Sequence, residues 1–141
     1  MAKRLITKAG LDRITPKQLK AVARSHLSPR LLLGKWENCD RRTRGVVRVV
    51  LGRSGSVFTV QLFGARTPTP CDWGVMRGVV YSESVSSAVG IAFTAHYKFS
   101  FKEVVVTGHL DQGCLTLEHY NRFTDGSGRC DYYMKERFCR H

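Results

Sequence analysis

From Leu31 onward the chain repeats one pattern, and that pattern limits the fold more than anything else in it. Eight runs of β-branched, aromatic and aliphatic residues follow one another, each closed by turn chemistry. They are Leu31–Asn38, Gly45–Leu51, Val57–Ala65, Asp72–Tyr81, Ala88–Tyr97, Phe101–Leu110, Cys114–Phe123 and Arg129–Phe138. Ser54-Gly55, Gln112-Gly113 and Asp125-Gly126-Ser127-Gly128 carry the residues that hairpin turns need. Thr67-Pro68-Thr69-Pro70 reads as a stiff loop, and Ser82 to Ser87 as a polar one. No helical stretch of about 10–15 residues separates the runs, which excludes a parallel α/β sheet.

Alternation assigns faces, because successive strand side chains point to opposite sides. Phe58, Val60 and Leu62 share a face against Thr59 and Gln61. Leu115, Leu117, His119 and Phe123 oppose Thr116, Glu118 and Arg122. Tyr132, Met134, Glu136 and Phe138 oppose Tyr133, Lys135 and Arg137. One apolar face per strand, with no second sheet to cover it, predicts closure. The expected fold is mainly β: an eight-stranded antiparallel up-and-down barrel, which leaves no exposed strand edge.

The first 30 residues differ. Thr15-Pro16-Lys17-Gln18 is a helix start: an N-cap, a proline at the first helical position, and a glutamine that reaches back to the cap. Ile14 and Leu19 form a hydrophobic staple around it. A short helix is expected over about 16–26, with Leu19, Val22, Ala23 and His26 as its apolar stripe, ended by Ser28-Pro29. Two parts follow: a basic arm over 1–30 and a barrel domain over 31–141.

Charge follows the same division. The chain carries a net charge of +12. Residues 1–53 hold 14 Lys/Arg against 3 Asp/Glu, and residues 54–141 hold 9 against 8. A basic segment of this kind attracts polyanions, so nucleic acid is an alternative partner through residues 1–53. No apolar run approaches the roughly 20 residues that span a bilayer as a helix, and no signal-peptide pattern opens the chain. The expected location is cytoplasmic. There the five cysteines (Cys39, Cys71, Cys114, Cys130, Cys139) are expected to be reduced and packed as small hydrophobes, with a Cys114–Cys139 bridge as the alternative. None forms a Cys-x-x-Cys pair, and no P-loop, nucleophile elbow or dinucleotide fingerprint is present, so no metal or cofactor is expected.

Gly34-Lys35-Trp36 in the first run, with Arg140 just after the last, resembles the calycin superfamily of lipocalins, fatty-acid-binding proteins and avidins. The resemblance implies a barrel with Trp36 plugging one end and Arg140 stacked on its indole. Extended to Asn38, the motif is similar to avidins, where the asparagine binds biotin with help from a serine four residues later. Arg42 stands at that position here, and the tryptophan-rich segments of the biotin site have no counterpart, so biotin is not the expected ligand. The chain also resembles a group of small uncharacterised proteins through Trp36/Asn38/Arg44/Gly45, Cys71–Gly74 and Phe123–Arg129. That likeness implies a shared fold and names no activity.

Two places carry chemistry. Asp72 and Trp73 follow the stiff loop at a strand start, where barrel mouths bind ligands. His119 and Glu136 fall on inward faces of adjacent runs, with Tyr132 on the same face as Glu136. Polar groups inside a barrel need partners: each other, Arg48, Arg140 or a ligand. The expected ligand-binding set is therefore Asp72, Trp73, His119, Tyr132 and Glu136, with Gly34, Trp36 and Arg140 as the plug and no catalytic residue assigned. The leading expectation is a non-catalytic barrel binding a small, largely apolar molecule. The alternatives are a nucleic-acid-binding module and a barrel isomerase or cyclase using Glu136 and His119 as an acid–base pair.

Overall fold

Strands with alternating apolar side chains pair edge to edge until the sheet closes on itself. The computed structural model of the protein describes residues 27–140, and the helix expected over 16–26 lies outside them. The strands are β1 (Gly34–Asn38), β2 (Val46–Ser54), β3 (Val57–Gly64), β4 (Cys71–Ser82), β5 (Gly90–Lys98), β6 (Lys102–Asp111), β7 (Cys114–Phe123) and β8 (Tyr132–Arg140). Each pairs antiparallel with the next, and β8 returns to pair with β1, giving a closed eight-stranded barrel. The closing seam is short, with Trp36 opposite Arg140, Glu37 opposite Cys139 and Asn38 opposite Phe138.

The inward residues of this alternation make the core. Val60, Leu62, Leu115, Leu117 and Phe138 are fully buried, as are Val49 and Val106. Thr116 is the exception to the face pattern, covered although it sits on the outer side of β7. Small residues mark where large ones need room. A side chain at Gly108 would run into the ring of Phe93, and one at Gly78 into Phe58 and Val60.

Strand direction distinguishes two ends. The first end gathers the starts of the odd strands and the finishes of the even ones. Here Leu31-Leu32-Leu33 forms a turn rather than the start of β1, with Leu32 N donating to Pro29 O at 2.8 Å. Trp36 is buried beneath that turn, its Nε1 donating to Leu32 O at 2.9 Å. The Arg140 guanidinium lies 4.1 Å from the Trp36 ring centroid and donates to Leu31 O (2.7 Å) and Leu33 O. Indole, guanidinium and backbone turn together close this end.

The expectation of reduced thiols fails for two cysteines. Cys39 and Cys139, 100 positions apart in sequence, form a disulfide across the β1–β8 seam, with Cα atoms 5.7 Å apart. The alternative bridge to Cys114 is not formed, because Cys139 is committed to the neighbouring strand on its other side; Cys71, Cys114 and Cys130 are free thiols.

Candidate functional site

The second end carries the polar chemistry, and the Cys71–Gly74 segment is built to place one large side chain there. Between Gln61↔Val75 and Phe63↔Asp72 the β3–β4 register slips, and Gly74 absorbs the slip at φ 94°. That is the left-handed region a glycine reaches without steric cost. The Asp72 carboxylate caps the bulge, accepting from Gly74 N at 2.8 Å and from Gln61 Nε2 at 3.1 Å. Those hydrogen bonds hold Asp72 below the usual aspartate range. The Tyr97 hydroxyl ties the same point from within: its one proton points to Gly74 O at 2.7 Å, with Val60 O at 3.1 Å beside it, and its oxygen accepts from Leu62 N at 3.2 Å. Burial pushes that phenol up to about 12. The bulge turns Trp73 inward, edge-on to Tyr97, Phe99 and His119. Gly64 gives the indole its space, since a Cβ there would sit 2.8 Å from Trp73 Nε1.

All five expected ligand residues lie at this end, and four of them come together there. Asp72 is exposed and structural, capping the bulge that aims its neighbour. Trp73, His119, Tyr132 and Glu136 belong to a continuous group. Glu136 is nearly enclosed. Its oxygens accept from Asn38 Nδ2 (2.8 Å), Val46 N (2.9 Å), the Thr43 hydroxyl and His119 Nε2 (3.4 Å). Burial alone would push the Glu136 carboxyl up, but the hydrogen bonds from His119, Thr43 and Val46 outweigh it and hold Glu136 below its ordinary value. Neither Arg48 nor Arg140 is its partner: Arg48 pairs with Glu37 at 2.7 Å, and Arg140 covers Trp36.

The network then runs toward solvent. Asn121 Nδ2 lies 2.9 Å from His119 Nδ1, and Lys102 Nζ lies 2.8 Å from Asn121 Oδ1. One donor direction satisfies every link. Lys102 donates to Asn121, Asn121 donates to His119 Nδ1, and His119 donates through Nε2 to Glu136. In that arrangement His119 Nε2 faces the Glu136 carboxylate and Nδ1 faces the Asn121 amide. Tyr132 OH stands 3.4 Å from Lys102 Nζ. The Lys102 ammonium sits among four rings, with centroids at 5.1 Å (Trp73), 5.6 Å (Tyr132) and 5.9 Å (Phe101 and Phe123). Arg129 covers Phe123 at 4.2 Å from the outside, held by Asp125 at 2.7 Å.

Lys102 and Asn121 are absent from the expected set, although alternation places both inside. Lys102 shares parity with Val104 and Val106, and Asn121 with Leu117 and His119. Polar identity masked the pattern. Asn38, the residue that the avidin likeness would assign to a ligand, is instead saturated: its amide donates to Val46 O and Glu136, and its Oδ1 accepts from Asp40 N.

Elsewhere, the β1–β2 loop borders a concavity of about 610 Å³ beside the disulfide, where Arg41, Arg48 and Arg140 are interleaved with Glu37 and Asp40. Among the described residues, no group of three or more His, Cys, Asp or Glu is placed to hold a metal ion. Among the described residues no helix is long and apolar enough to cross a membrane. In comparisons with known proteins, no family, no curated protein and no solved structure matches this chain.

Proposed function

We propose that the barrel binds a small, largely apolar molecule at the end opposite Trp36, without acid–base catalysis. The observation that carries this reading is the Trp73–Lys102–Tyr132 group. Aromatic faces and an ammonium with only neutral hydrogen-bond partners converge where the polar network meets solvent. Rings supply apolar contact, while the amine and the phenol supply orientation, the usual division of labour in a small-molecule site. The His119–Glu136 pair supports the barrel rather than a reaction. Both imidazole nitrogens are engaged, and Glu136 already accepts four hydrogen bonds. The Gly34-Lys35-Trp36 opening with Arg140 across the indole favours a calycin-like reading of the fold.

Native mass spectrometry of the protein purified from its source tests the reading directly. A non-covalent or acid-labile adduct of a few hundred daltons is expected. Tyr132→Ala and Trp73→Phe should weaken rebinding of the released molecule by about tenfold each, or about 1.4 kcal/mol. Adduct-free protein whose Trp73 emission also ignores a panel of aromatic and aliphatic ligands would end the proposal.

A further inference from the structure

Lys102 is 8% exposed, yet among the described residues no carboxylate lies within ion-pair distance of its Nζ. Its hydrogen-bond partners, Asn121 Oδ1 and Tyr132 OH, are neutral. A shielded lysine without a counter-ion is uncommon, because desolvation penalises the ammonium and a single carboxylate would relieve it. The four surrounding rings relieve it only in part, since their centroids stand near the outer limit of cation–π contact. Amines in such surroundings serve as nucleophiles.

We propose that Lys102 is an imine-forming lysine, and that the molecule bound at this mouth is an aldehyde or ketone with an apolar body. The inference rests on the binding reading above and names the chemical class of its ligand. The free amine of Lys102 adds its lone pair to the carbonyl carbon, and the carbonyl oxygen takes a proton to become the hydroxyl of a carbinolamine. Loss of that hydroxyl with a second proton, as water, leaves a C=N bond to Nζ. No oxidant or reductant is consumed, and hydrolysis reverses every step.

Three features of the site suit this chemistry. Burial, aided by the positive charge of nearby Arg129, lowers the Lys102 amine below the usual lysine range, which enlarges its reactive neutral fraction. Tyr132 OH, 3.4 Å from Nζ, is placed to give a proton to the carbonyl oxygen. Burial and the charge of Glu136 raise that phenol, so it keeps its proton at neutral pH. The product iminium is itself a cation, and the same four rings that face the ammonium face it. Asn121, tied to His119 and Glu136, fixes the direction from which the amine approaches.

The test uses the full chain with 2-naphthaldehyde as the probe and cyanoborohydride to reduce any imine to a stable secondary amine, followed by peptide mass mapping. Lys35, Lys98 and Lys135, all exposed, are internal standards. Labelling of Lys102 at pH 7 at least tenfold faster than each of them is expected. Its rate should rise with pH at lower pH than theirs, the groups facing the amine being Arg129, Tyr132 and, through Asn121, His119. Lys102→Arg should abolish the selective adduct, and the wild-type chain should bind 2-naphthylmethanol, which cannot form an imine, reversibly, as read by Trp73 quenching. Uniform labelling with naphthylmethanol still bound would overturn the imine and leave the binding reading standing. Uniform labelling with no naphthylmethanol binding would count against both.

Discussion

At the scale of single residues, Glu136 carries the largest concentration of hydrogen bonds in the barrel. It joins β8 to β1, β2, β7 and the β1–β2 loop through Asn38, Val46, His119 and Thr43. Glu136→Gln sets an amide NH2 against groups that are themselves donors, and a loss of about 2–3 kcal/mol of stability is expected from chemical denaturation. The pH dependence has a definite sign. The folded-state ionisation of Glu136 lies below its ordinary value of 4.5, so on acidification the unfolded chain takes up the proton first. Its contribution is complete above about pH 4.5 and falls away as pH drops through the folded value. The denaturation midpoint of the wild type should therefore decline in that acid window, and the Gln variant should show a shallower decline. Gly64 is a second sensitive position, because its missing side chain is the space that Trp73 Nε1 occupies. Gly64→Ala should displace the indole, costing about 1–3 kcal/mol and shifting Trp73 emission.

At the scale of elements, the barrel has one thin joint and one deliberate irregularity. The β1–β8 joint has three residue pairs in register, whereas β6–β7 has ten. The Cys39–Cys139 bond lies across that joint and closes a loop of about a hundred residues. Cross-links of that span stabilise mainly by restricting the unfolded chain. Reduction, or the double change Cys39→Ser with Cys139→Ser, should lower stability by about 2–4 kcal/mol. Thermal melts with and without dithiothreitol read the effect, and the double variant should be indifferent to the reductant. The irregularity is the β3–β4 bulge. It converts an ordinary strand start into a device that points Trp73 at the polar network, with Asp72 and Gly74 as its working parts.

At the scale of the whole molecule, the two barrel ends do different work. The Trp36 end is closed by packing, while the Trp73 end carries an ammonium, an amide, an imidazole and a carboxylate in series. Closure itself is a long-range event, since Arg140 meets residues more than a hundred positions earlier. Domains dominated by such contacts fold in milliseconds to seconds. Arg140→Ala removes the cation–π cover and two hydrogen bonds to the Leu31–Leu33 turn. It should lower stability by about 1–3 kcal/mol, and a seam that closes after the transition state shows that loss as faster unfolding. Stopped-flow fluorescence of Trp36 and Trp73 separates the two rates.

Strand number, order, antiparallel sense and the inward faces of β3, β7 and β8 were legible from the chain alone. Period-two alternation and turn chemistry are local properties, and a closed sheet buries eight single apolar faces without leaving an edge strand. The adjacency of His119 and Glu136 followed from the same parity. Three things belonged to the tertiary structure. The partner of Cys139 depended on which of two neighbouring strands held the nearer thiol. The outward turn of Asp72 depended on a register slip that only β3 could impose. The enclosure of Lys102 depended on rings from β4, β7, β8 and the β5–β6 turn meeting at one end, and Trp73, Phe123 and Tyr132, which stand 29, 21 and 30 positions from Lys102, leave no periodic trace of such a meeting. Local sequence sets the direction of a side chain, and closure of the sheet sets what it meets.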